Sequence, residues 1–129
     1  MANPFTFEYL EGELARAVGL GYRFLTCAGY LDDPQSDSHP TVVMRVDIDE
    51  DVRKADRILD IFQRLGIQGT FFVRLHAPYN LFDFGNYRVL RRMRDDGHEI
   101  GYHSEIVDQN AIWNEDAADC LRRDIAVLE

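Results

Sequence analysis

Cysteine is scarce. Cys27 and Cys120 are the only two in 129 residues, and they show neither close pairing nor metal-type spacing, so they read as two reduced, partly buried thiols. Lysine is scarcer still: Lys54 stands alone and arginine carries the remaining positive charge, a bias that fits a GC-rich genome, or else a salt-adapted organism, and carries no mechanism either way. Positive charge is outnumbered, with 14 Lys and Arg against 23 Asp and Glu, a formal charge of −9 and a pI near 4.8. That field repels phosphate backbones and anionic lipid, so no nucleic-acid partner and no membrane surface is expected. No stretch approaches the roughly 18 uninterrupted apolar residues of a membrane span. Met1 to Leu10 lacks a basic start followed by an apolar block, so the expected location is cytoplasmic. Internal repeats and low-complexity tracts are also missing.

What is present is the composition of a globular domain, 46% hydrophobic and 29% charged. Residues 1–129 read as a single α/β domain or the front portion of a larger one. At this length folding removes about two-thirds of the surface of the unfolded chain, enough for a core without metal or disulfide staples. A metal here would therefore serve function.

The spacing of Phe7, Leu10, Leu14, Ala17 and Val18 predicts an amphipathic helix over residues 6–18, stopped by Gly19-Leu20-Gly21, with a short strand over Tyr22 to Thr26. Residues 32–40 combine Pro, Asp and Ser into a surface loop. Beyond it a rhythm sets in. Thr41 to Val46 is a strand, Val52 to Leu65 one face of a helix ending at Gly66, and Ile67 to Val73 the next strand. Tyr87 to Arg94 is a basic helix, His98 to Tyr102 a strand, and Glu115 to Leu128 a last helix with Asn114 as its N-cap. The alternation predicts right-handed βαβ units around a parallel sheet behind a helical lead-in. The periodic pattern still runs at Glu129, as expected of the front portion of a larger domain.

In parallel α/β sheets ligands gather at the carboxyl ends of strands, where helix N-termini also point. Three strand ends place Asp47 and Asp49, Arg74 and His76, and His103 and Glu105 together. Asp47 and Asp49, at i and i+2, present both carboxylates on one side, which is costly unless a cation neutralises them or one takes a proton. The alternative is a water-exposed capping loop, for which Asp is the usual residue. His103 and Glu105 share a side in the same way, and imidazole and carboxylate suit zinc and related divalent ions. His98, at a strand start, reads as a structural histidine.

Asp47-Ile48-Asp49 after a hydrophobic strand, Gly69-Thr70-Phe71-Phe72-Val73-Arg74 in the next, and Gly97-His98-Glu99-Ile100-Gly101-Tyr102-His103, in this order and separation, resemble the polysaccharide deacetylase (NodB-like) family. The resemblance implies a distorted β/α barrel that removes acetyl groups from N-acetylated sugars or related amides. It makes Asp47 the catalytic base, Asp49 the carboxylate metal ligand and His103 the first metal histidine. The implied cofactor is a divalent metal, zinc first, with cobalt, nickel and manganese as alternatives. Arg74 would orient an anionic group or stabilise the developing oxyanion, or else form a salt bridge to the acidic loop. The family's second metal histidine, four residues after the first, is Val107 here, which leaves Glu105 or Asp108 as the replacement. The resemblance covers the front half of the family barrel, so a homo-oligomer or further C-terminal sequence is expected to complete it.

Two rival readings remain. A haloacid dehalogenase-like phosphohydrolase would use Asp47 and Asp49 around magnesium, with Thr70 drafted in. Its late basic residue has no lysine to fill it, since Lys54 lies early, and it leaves the His103 segment unexplained. The other rival is a non-catalytic partial barrel that self-associates through open sheet edges. Phe71, Phe72, Phe82, Phe84 and Trp113 read as core or interface residues.

Overall fold

A computed structural model describes residues 3–34 and 38–129; the expected loop over 32–40 lies partly outside them. Thr6 opens α1 (Phe7–Gly19) by accepting a hydrogen bond from the Tyr9 amide at 3.1 Å, and Gly21, at φ 85°, turns the chain out of it. Leu14 is buried, and Glu11 clamps α1 to the following α3 (Ala55–Leu65) by accepting two bonds from Arg64, both at 2.8 Å. After β1 (Arg23–Leu25) comes a short helix absent from the sequence reading, α2 (Cys27–Asp32), capped by the Thr26 hydroxyl.

The strand expected from Thr41 is two, β2 (Thr41–Val43) and β3 (Arg45–Ile48), hinged at Met44. The Met44 amide donates to Leu25 at 3.1 Å, while its carbonyl accepts from Thr70 at 2.8 Å. One length of chain thus pairs first with β1 and then with β4 (Thr70–Val73), which pairs with β5 (Glu99–Tyr102), all in parallel. The registers Arg23↔Thr41 and Arg45↔Thr70 set β1 back along the sheet, the stagger that closing a barrel requires. The chain is an α/β fold of parallel βαβ units, a partial barrel with a helical lead-in.

Helix ends follow local chemistry. Asp51 caps a single 3₁₀ turn (Val52–Lys54) that leads into α3, and Gly66 ends α3 at φ 65°. Helix α4 (Phe84–Asp95) starts three residues before the expected Tyr87, because Asp83 accepts from the Gly85 and Asn86 amides. Asn114 is not the N-cap of the last helix. It closes α5 (Ile106–Trp113) in the left-handed region at φ 53°, which Asn tolerates, and Asp116 caps α6 (Ala117–Leu128), accepting from Ala118 and Asp119 at 3.0 Å.

Ile48, Phe71 and Val73 point from the sheet into a core shared with Val52, Ala55, Leu59, Phe62, Val89 and Met93. Because side chains alternate along a strand, Arg45, Asp47, Phe72 and Gly101 take the opposite face. Of the aromatics expected in core or interface, Phe71 is buried, while Phe82 and Phe84 stand exposed. Both thiols are free, with Cys120 buried and Cys27 half-buried. No helix among the described residues is long and apolar enough to cross a membrane.

His98 is structural, as expected. Its ring packs 5.6 Å from Phe62 and 5.3 Å from Phe71, and Nδ1 accepts from the Gly69 amide at 3.3 Å. Burial holds its pKa below the ordinary value. The unfolded chain therefore binds a proton there more readily, so His98's contribution is intact above about pH 6.5 and is lost as pH falls. Wild type should lose more stability than His98→Gln between about pH 7.5 and about pH 5.5 in denaturant titrations. Equal losses would clear His98 of that role.

Candidate active site

The register that carries the core also builds the site. Ile48, Val73 and Tyr102 are level across the sheet, so the next residues, Asp49, Arg74 and His103, leave three neighbouring strand ends together. The His103 amide donates to the Val73 carbonyl at 2.8 Å, extending the ladder by one residue and fixing the backbone that carries the imidazole. Its Nε2 lies 3.8 Å from Asp47 Oδ2 and 3.7 Å from Asp49 Oδ1. Both separations exceed a hydrogen bond. The two carboxylates expected on one side thus frame one imidazole nitrogen.

Arg74 fastens the surrounding loops. Nε donates to Glu105 Oε1 at 2.9 Å, Nη2 makes a second, short bond to the same oxygen, and Nη1 donates to the Asp49 carbonyl at 2.8 Å. Nη2 also reaches the His76 carbonyl at 3.3 Å. The bonds to Glu105 hold the guanidinium more firmly protonated than usual. Glu105 is therefore engaged by Arg74 and is not grouped directly with Asp49 and His103, and Asp108 lies in the first turn of α5. His76 turns its ring toward the outer helices, with Nε2 3.3 Å from Asp124 Oδ2 and the ring edge-on to Trp113.

The family model for polysaccharide deacetylase matches residues 35–124, a span that includes all three strand ends. The chain belongs to the polysaccharide deacetylase family. No curated protein and no solved structure matches it. Polysaccharide deacetylases are hydrolases of acetylated sugars and are generally metal-dependent.

Two residues beside these strand ends escaped the sequence reading. Tyr79 donates its hydroxyl to the Ile48 carbonyl at 2.6 Å and accepts from the Arg74 amide at 2.9 Å, tying the β4–α4 loop to the end of β3. Burial raises its pKa and keeps it a donor. Arg45 donates to Asp47 Oδ1 from Nη2 at 2.8 Å and from Nε at 3.1 Å, a pairing foreshadowed only by its i, i+2 spacing on a strand. Thr70, by contrast, sits at the opposite end of β4. It is fully buried, its hydroxyl donating to Glu99 at 2.6 Å and accepting from the Cys27 amide at 2.8 Å. The phosphohydrolase reading thereby loses its threonine.

Whether the site suits a divalent cation depends on its donors. Ligands about 2.0–2.2 Å from one zinc ion stand roughly 3–4 Å apart, and the imidazole and carboxylates here are spaced 3.7 and 3.8 Å. Glu105 Oε2 and His103 Nδ1 are buried without a hydrogen-bond partner. Among the described residues no group of three or more His, Cys, Asp or Glu side chains is arranged to hold a metal ion. Asp49 and His103 are thus two donors of the right chemistry and spacing for a divalent cation, while Glu105, held by Arg74, is not grouped with them.

Proposed function

We propose that the chain carries the catalytic end of a metal-dependent deacetylase acting on an N-acetylated sugar or related amide. The observation that carries this reading is the imidazole of His103 facing Asp47 and Asp49 at 3.8 and 3.7 Å across two strand ends. Asp49 and His103 would hold the cation, with Glu105 or Asp108 as third ligand. When bound, the ion, zinc first and cobalt, nickel or manganese as alternatives, supplies Lewis-acid polarisation of the acyl carbonyl.

The remaining chemistry belongs to the protein. Hydrolysis adds water to the acyl carbon and breaks its bond to nitrogen, releasing acetate and the amine. Asp47 takes the proton of the attacking water, and the oxygen placed for this is Oδ2, because Oδ1 is held by Arg45. Arg74 acts as a positioning residue here. Its donors are committed to Glu105 and to the Asp49 and His76 carbonyls, so it fixes the site's loops rather than meeting an oxyanion.

Titrating zinc, cobalt, nickel and manganese into chelator-treated protein tests the ligand assignment. Asp49→Ala should weaken binding at least ~10-fold for any cation that wild type binds. Equal affinities would sink the assignment.

Self-association is a separate proposal, supported by the edge of β5, which pairs with no further strand among the described residues, and by exposed Phe82, Ile100 and Val127. Salt screens the repulsion of a −9 charge over about 10 Å at 0.1 M but leaves an apolar contact intact. Light scattering over rising concentration at moderate salt should show mass growth, and a constant monomer mass would reject it.

A further inference from the structure

We propose that Arg45 is the positioning residue for Asp47, and that Phe72 and Gly101 form the platform that holds Arg45 in place. The inference rests on the reading of Asp47 as base. Four groups stand in line on the face of the sheet turned away from the helices. Gly101 is level with Phe72 in the register, and a Cβ on it would lie 2.5 Å from Phe72 Cε1, so only glycine lets that ring lie against β5. The Arg45 guanidinium lies over the Phe72 ring, 4.5 Å from its centroid. From there Nη2 and Nε both meet Asp47 Oδ1, at 2.8 and 3.1 Å.

The consequence is geometric. Arg45 is 59% and Asp47 37% exposed, and a pair this open adds little stability. What it does is choose a rotamer. With Oδ1 occupied, Oδ2 is the oxygen that faces His103, at 3.8 Å. Among the described residues no other hydrogen bond holds the Asp47 side chain. Lysine would keep the charge but lose the planar fork that lies flat on an aromatic ring while donating two bonds along its edge.

Arg45→Ala tests this in two independent ways. A crystal structure of the variant should show Asp47 Oδ2 turned from His103 or divided between rotamers; one unchanged orientation overturns the proposal. In acetate-release assays kcat should fall about 10- to 100-fold with KM nearly unchanged, because only the placement of the base is disturbed. Arg45→Lys should recover part of the loss. In an Asp47→Asn background, Arg45→Ala should cost little more, whereas a full additive loss would mean that Arg45 acts elsewhere. Gly101→Ala should reproduce the defect by displacing Phe72. If that variant fails to fold, Phe72→Leu removes the π face without the clash, and wild-type turnover in it would refute the platform. Absence of acetate release from wild type would end the deacetylase reading, while the crystallographic comparison would still decide Arg45.

Discussion

Asp47→Asn should reduce acetate release from N-acetylated sugars by about 10²- to 10⁴-fold while leaving cation affinity within a few-fold of wild type. The two halves of this expectation come from different atoms. Asn has the shape of Asp and can still offer an oxygen to Arg45, whose two bonds at 2.8 and 3.1 Å end on Oδ1. It has no basic oxygen to present at the position of Oδ2, so the proton of the attacking water loses its acceptor. Asp49 and His103, the proposed ligands, keep their carboxylate and imidazole. A fall in turnover with intact binding separates base from ligand. Unchanged turnover would exclude Asp47 as base, and a collapse of cation affinity would make it a ligand instead.

The strand ends were legible because they obey local rules. Asp47 and Asp49 follow an apolar β run, and His103 ends a segment opened by Gly97, so a parallel sheet alone is enough to bring them to one edge. Side-chain partners were not legible, since they depend on residues far apart in the chain. Arg74 meets Glu105 across 31 positions, and nothing near either shows that the pair will close. The short helices were missed for a different reason. Helix α2 has six residues, and α5 leaves Val107 and Ile112 exposed, so neither writes a clean apolar face into the sequence. The hinge at Met44 is invisible in the same way. A continuous β run reads as one strand, and only the identity of its neighbours divides it.

Asp124→Ala should destabilise the fold by about 3–5 kcal/mol, more than removal of any surface ion pair. Asp124 is 3% exposed and gathers donors from three parts of the chain. Gln109 Nε2 of α5 donates to Oδ2 at 2.7 Å, the Tyr102 hydroxyl of β5 makes a short bond to the same oxygen, and His76 Nε2 lies 3.3 Å away. Alanine would take the main acceptor from the half-buried Tyr102 hydroxyl and the buried Gln109 amide, the costly kind of loss. Burial and the neighbouring charge push the Tyr102 hydroxyl up to about 12, which keeps it a donor through the accessible range. For Asp124 burial alone would raise the pKa, but the bonds from Tyr102, Gln109 and His76 outweigh it and hold the carboxyl below its ordinary value. A depressed folded pKa stabilises above the unfolded value of about 3.9, and that stabilisation disappears as pH drops through the folded one. The gap between wild type and Asp124→Ala in denaturant titrations should accordingly be full near neutrality and narrow below about pH 4. Asp124→Asn, which keeps one oxygen but sets an amide against donors, should fall between them at neutral pH. A gap under about 1 kcal/mol at neutrality, or one indifferent to acid, would show that the cluster does not bind α5 and α6 to the sheet. Tyr102 immediately precedes His103, so the same variant tests whether the outer helices help hold the imidazole against the two carboxylates.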